Sequence, residues 1–208
     1  MQGITSVTRS IRALTVALSL AITATAHATE ADWVLEQDED RIRIYTRPVA
    51  DSPFVEVKAT ALINAPIDHV ALVMGDGESC GEWRAMCKSS EVLDGASDTE
   101  RYVYMVLDMP WPVADRDMVI HSIADIDVAA KTVTAQLQSA SSERPEQDYV
   151  RAITNGQYQI KALAEEQVEL TYIIHTDLGG DLSAELINPR VAATTYDDIK
   201  RLQTLAEQ

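Results

Sequence analysis

Gln167-Val168-Glu169-Leu170-Thr171-Tyr172-Ile173-Ile174-His175-Thr176-Asp177-Leu178-Gly179-Gly180 is the stretch on which the fold turns. Its first ten residues contain a period-two alternation, the pattern of a half-buried strand. Beyond the glycine pair the period changes. Leu186, Val191, Tyr196, Ile199, Leu202 and Leu205 fall on one broad apolar stripe of a C-terminal helix. Asn188-Pro189 marks an irregularity or a fresh start within it. Upstream, residues 100–108, 117–127, 132–140 and 149–162 also contain period-two stretches, separated by polar turns. Consecutive strands with short links imply an antiparallel meander.

Further toward the N-terminus, residues 41–49 and 55–63 alternate as two more strands across the turn Ala50-Asp51-Ser52-Pro53. A first amphipathic segment spans residues 31–37. Asn64-Ala65-Pro66-Ile67-Asp68 opens a helix, since a proline near the first turn forfeits no hydrogen bond, and Gly75 and Gly77 end it. Residues 83–93 read as irregular, then extended. Two strands, a helix, about five strands and a long final helix make an α+β domain whose sheet is covered by that helix. Such a curved sheet is suited to enclosing a cavity.

Composition bounds the function. The 208 residues carry 17 Lys+Arg against 33 Asp+Glu, a formal charge of −16, with 46% hydrophobic content. That is one ordinary domain with a substantial core, not a disordered chain. The acidic excess excludes a nucleic-acid footprint and constitutive docking on anionic lipid. Only one of 11 aromatic residues is a phenylalanine, so the core must be mainly aliphatic.

Arg9 and Arg12 precede an apolar run from Ala13 to Ile22, and Ala26-His27-Ala28 fits a small-x-small cleavage site. This is the layout of a secretory signal peptide over residues 1–28, leaving residues 29–208 as the mature domain. The run is too short to span a bilayer comfortably, so an uncleaved anchor is the weaker alternative. Cleavage near Ala28 leaves a charge of −18 over 180 residues in the periplasm or outside the cell. An exported pair such as Cys80 and Cys87, seven apart, can close a small disulfide loop; two separate buried thiols are the alternative.

Met109-Pro110-Trp111-Pro112-Val113-Ala114-Asp115-Arg116-Asp117 is similar to the P-x-P-V-x-x-R-D signature of the START (StAR-related lipid-transfer) domains. Trp33 with Asp40-Arg41-Ile42-Arg43-Ile44-Tyr45-Thr46-Arg47 resembles that family's opening W…D-x-I-x-V-Y-x-R. Trp83 and Cys87 fit its W-x-x-x-C step, and Asp177 with Gly179-Gly180 fits its D-P-G-G turn. The resemblance covers nearly all of residues 31–205, in the exported bacterial form. It implies the helix-grip (START/Bet v 1-like) fold, a curved antiparallel sheet wrapped around a long C-terminal helix with an internal hydrophobic cavity. Departures are Leu178 for the turn's proline, and Ser183 and Glu185 for a following proline and tryptophan. Asn188 is retained. Some relatives carry a cavity arginine, paired with a glutamate, where this chain has Ser122.

The resemblance implies a lipid or other hydrophobic small molecule held between sheet and C-terminal helix. Trp83, Tyr104, Arg116, Ile120, Ser122, Arg151, Leu186, Val191 and Tyr196 are expected against it. Arg116 needs a partner, for which Asp108 and Asp115 are candidates, because a lone buried guanidinium is very costly. Entry would require the last helix or the loop near residues 108–115 to move. Gly77-Glu78-Ser79-Cys80-Gly81 matches G-x-S-x-G formally, but it follows a helix and lacks the strand-turn-helix elbow of a hydrolase. His69, His121 and His175 have no metal-ligand spacing. No catalytic group, metal or cofactor is expected. The expectation is a monomeric carrier in transient contact with membranes; the alternatives are a helix-grip enzyme of the cyclase or hydrolase kind and a non-catalytic ligand-sensing module.

Overall fold

The computed structural model describes residues 33–93, 95, 97 and 99–208; the expected signal peptide lies outside the described residues. Ten strands form one sheet: β1 (Val34–Glu39), β2 (Ile42–Arg47), β3 (Glu56–Ile63), β4 (Cys87–Val92), β5 (Glu100–Leu107), β6 (Arg116–Asp127), β7 (Thr132–Ser139), β8 (Val150–Arg151), β9 (Ile153–Ala164) and β10 (Gln167–Asp177). The helices are α1 (Ile67–Gly75), α2 (Cys80–Trp83) and α3 (Ala184–Ala206). Strand order is β1-β2-β3-β10-β9-β7-β6-β5-β4, all antiparallel, while short β8 pairs with β6 in parallel.

The meander expected from residue 100 onward is present, with one interruption. The stretch 149–162 divides into β8 and β9 because β8 leaves the path to lie against β6. The first amphipathic segment supplies β1, which pairs with β2 across a two-residue turn, Asp40-Arg41, whose φ values are 53° and 67°. Such mirror-image turns match the twist of a hairpin but strain side-chain-bearing residues. Here Arg41 is held by Glu207 at 3.0 Å, and Asp40 by Lys200 at 2.9 Å and Tyr196 at 3.0 Å, from the C-terminal half of α3 and its cap.

β3 alternates between half-buried and buried residues, with Val57, Ala59, Ala61 and Ile63 against the core. α3 lays Ile199 and Leu202 on this side of the sheet, both fully buried. Gln203 is buried too, and its amide donates to the carbonyls of Asp40 and Leu62, so a polar side chain closes two strand ends without a desolvation penalty. At the other end Ser183 caps α3 by accepting from the Glu185 N–H. Pro189 lies inside the helix. Asn188 beside it accepts from the Val55 N–H and donates to the Pro53 carbonyl, latching the helix start to the β2–β3 connection.

Candidate ligand-binding cavity

The inner face of the sheet is a set of cross-strand rows. Arg101 on β5 faces Ser122 on β6, then Leu137 on β7 and Gly156 on β9. In the next row Ala124 faces Ala135, then Tyr158, then Tyr172. Gly156 sits where β9 and β10 crowd together, since a Cβ there would collide with the Ile173 carbonyl oxygen. Small side chains at 122, 124 and 156 leave the middle of the concave face unfilled, whereas larger ones at its margins do not.

The result is a cavity of about 1030 Å³. Its floor is β5, β6, β7, β9 and β10, and its roof is α1 and α2. No α3 residue lines it, which corrects the expected position between sheet and C-terminal helix. α3 instead packs over β2 and β3 and fills that half of the concave face with Ile199 and Leu202. The mouth opens between the C-terminal end of α1, the β6–β7 turn and the β9–β10 turn. It lies at the opposite end of β5 and β6 from the 108–115 loop, away from the loop expected to move for entry. Leu72, Ile126 and Val128, from two of these elements, form an exposed apolar lip.

Of the expected site residues, Trp83, Ile120 and Ser122 line the cavity. Leu186 is exposed at the start of α3, and Val191 and Tyr196 pack against the core elsewhere. Tyr104 and Arg151 lie on the convex side. The β5 parity sends Arg101, Val103 and Met105 inward and Tyr104 outward, where it donates to Asp117 Oδ2 at 3.1 Å. Burial, then that bond to a carboxylate, pushes the Tyr104 phenol up to about 12. Arg151 forks the same Asp117 and donates to the carbonyls of Ser141, Arg144 and Pro145, fastening the 140–150 connection over the back of the sheet.

Arg116 has the inward parity expected of it but lies beyond the closed end of the cavity. Its partners are neither Asp108 nor Asp115. It donates to the carbonyls of Leu178 at 3.0 Å, Gly179 at 3.3 Å and Ala114, and burial holds its pKa below the usual value. Asp115 pairs with Lys88 at 2.7 Å instead. The signature arginine thus ties the start of β6 to the turn before α3. Leu178, where a proline was the usual residue, is buried, and its carbonyl is one of these anchors.

The sequence reading missed Arg84, Arg101, Tyr158 and Tyr172, which supply polar groups to the wall. Arg84 donates to the Tyr172 hydroxyl at 3.2 Å and lies 4.4 Å over the Trp83 ring. Burial raises the Tyr172 phenol, and Arg84 partly offsets it. Behind Arg84, the Asp198 carboxyl accepts from the Ala85 N–H at 2.8 Å. Burial raises its pKa despite that bond and the nearby arginine. Arg101 donates to the Gly75 carbonyl at the end of α1. Inward parity on β5 and β9 was the signal that could have found Arg101 and Tyr158.

Cys80 and Cys87 form a disulfide that joins the start of α2 to the start of β4 and holds Trp83 in the roof. Ser79 of the G-x-S-x-G match is the residue before α2, in a loop that follows α1, not on a strand-to-helix elbow. His121 stacks on Tyr102 and bonds Glu100, and His175 bonds Ser52.

Comparison with known proteins agrees with this architecture. The START domain family model matches residues 16–207. A crystallised STAR-related lipid transfer protein fragment from Xanthomonas axonopodis is 29% identical, covers 85% of this chain and 99% of its own, and superposes with a TM-score of 0.77. The lipid transfer and protein localization domain of human StarD13 is similar in fold (TM-score 0.73, 21% identity, 84% of this chain and 88% of that one). An uncharacterized protein of Pseudomonas aeruginosa is 26% identical over 204 residues, 96% of this chain and 99% of its own. The signature residues, the helix-grip architecture and these matches agree: the chain belongs to the START domain family.

Proposed function

We propose that this protein is an exported carrier that takes one hydrophobic molecule from a membrane into its cavity and releases it at another. The observation that carries this reading is the cavity of about 1030 Å³, walled mainly by apolar side chains and open at one end. The family and the Xanthomonas lipid transfer relative support binding of a lipid or similar ligand. The driving force is removal of apolar surface from water. At about 25 cal/mol per Å², burying roughly 400 Å² supplies about 10 kcal/mol before association costs. The lip of Leu72, Ile126 and Val128 would touch the bilayer during exchange, and a surface charge of −18 after cleavage at Ala28 would limit residence on anionic membranes.

The test is mass spectrometry of lipids recovered with the protein from the exported fraction, together with transfer of a labelled lipid between vesicles. Co-purified lipid and accelerated transfer are expected. Absence of bound lipid, with no uptake of a neutral apolar dye, would overturn the reading. Retention of the full-length chain in the cytoplasm would overturn export.

A further inference from the structure

Tyr158 stands on β9 in the cavity wall, 9% exposed, and its hydroxyl makes no hydrogen bond to any described residue. Among those residues every fully buried polar side-chain atom has a partner, so this oxygen is not sealed in protein but faces the cavity space. Burial holds the phenol above its ordinary value, which keeps it a neutral hydroxyl able to donate and to accept. Ser122 on β6, one inward row further from the mouth, adds a second hydroxyl with no partner among the described residues.

The charged groups of the wall are placed otherwise. Asp68, Asp76, Asp127 and Glu165 are exposed at the mouth, as is Lys131. Arg84 and Arg101 are engaged by the protein itself, Arg84 with the Tyr172 hydroxyl and the Trp83 ring, Arg101 with the Gly75 carbonyl. Along the cavity the rows on either side of the two hydroxyls are apolar. Toward the mouth lie Ile126, Val133 and Ala162; away from it lie Val103, Met105 and Ile120. The hydroxyls therefore form a polar belt between two apolar zones.

Water can serve such a hydroxyl until a ligand displaces it. A hydrocarbon stretch at that depth then leaves the phenol unpaired, whereas a ligand oxygen there replaces the lost bond. A site of this kind discriminates against the analogue that lacks the oxygen. We propose that the cavity takes a long apolar molecule carrying an uncharged oxygen, as carbonyl or hydroxyl, in the interior of its length, where it accepts from the Tyr158 hydroxyl with apolar segments on either side. This rests on the carrier reading above and specifies its ligand.

The experiment measures displacement of N-phenyl-1-naphthylamine, a neutral apolar dye, from the purified, delipidated protein. The competitors are pentadecane, 2-pentadecanone and 8-pentadecanone, which share one chain length and differ in the presence and place of a carbonyl. Tyr158→Phe removes only the hydroxyl. It should weaken binding of 8-pentadecanone about fivefold and leave the affinity for pentadecane and the urea midpoint unchanged. The wild type alone supplies a second reading: 8-pentadecanone should bind about fivefold more tightly than 2-pentadecanone, its isomer of near-equal hydrophobicity. Equal affinities of the two ketones, or an equal response of 8-pentadecanone and pentadecane to Tyr158→Phe, would overturn the internal oxygen and leave the carrier standing. Failure of the dye to bind, or of every competitor to displace it, would overturn the carrier reading itself.

Discussion

Arg151 and Asp117 form a two-pronged ion pair through the back of the sheet, with Nε 2.7 Å from Oδ1 and Nη2 3.1 Å from Oδ2. Asp117 is fully buried, and Tyr104 donates to the same carboxylate. The bond to Asp117 raises the Arg151 pKa, against the opposing effect of burial. Removing one partner leaves the other as an uncompensated buried charge. Arg151→Met should therefore destabilise the protein by about 3–5 kcal/mol in urea denaturation. Arg151→Met combined with Asp117→Asn should recover part of that loss, and additive losses would show that the two residues act separately.

Asp198 carries a pH signature. Burial raises its carboxyl above the ordinary 3.8, so the folded state holds its proton to higher pH than the unfolded chain does. Its ionisation is a cost that is absent below the unfolded pKa, grows as pH rises toward the folded value, and stays constant above it. Asp198→Asn keeps an oxygen for the Ala85 N–H and removes the charge. The variant should gain in melting temperature relative to wild type as pH rises from about 4 to neutral. A difference that is flat with pH would contradict the assignment.

The Cys80–Cys87 bridge closes a short loop that carries Trp83. In the chain-entropy account a loop of this length contributes about 2.5 kcal/mol. Replacing both cysteines with serine should lower stability by roughly that amount and weaken dye binding, because Cys80 and Trp83 both form part of the roof. Denaturant titration and dye titration of one variant read both effects.

Ala124 lies in the middle of the cavity floor, between Ser122 and Ile126 along β6. Ala124→Trp would project a large ring into empty space rather than into packed core. Ligand uptake should fall by about tenfold or more while the urea midpoint changes little. A variant that binds as well as wild type would place the ligand elsewhere.

The strands were legible in proportion to how different their two faces are. β3 has one core face and one wetter face, and its alternation gives the strand and its orientation together. β5 is different: Val103, Tyr104, Met105 and Val106 are all buried, because the 140–150 connection covers the convex side there. With both faces dry, alternation does not say which points inward, so the sequence offers Tyr104 to the cavity where the fold places Arg101. Arg101 looks like a solvent residue in sequence. The burial of its neighbours and the register with Ser122 place it in the wall.

The sequence by itself determined the family, the succession of long strands before a C-terminal helix, the period change at Gly179-Gly180 and the pairing partner available to Cys80. Each rests on local pattern or short spacing. Tertiary structure alone decided where the cavity lies. The apolar stripe of α3 is equally compatible with filling the core and with lining a pocket. Ile199 and Leu202 pack onto β2 and β3, so α1 and α2 roof the open half. It also decided that Arg116 binds carbonyls rather than a carboxylate, because its partners at Leu178 and Gly179 are backbone atoms more than 60 residues away, which no side-chain pattern records.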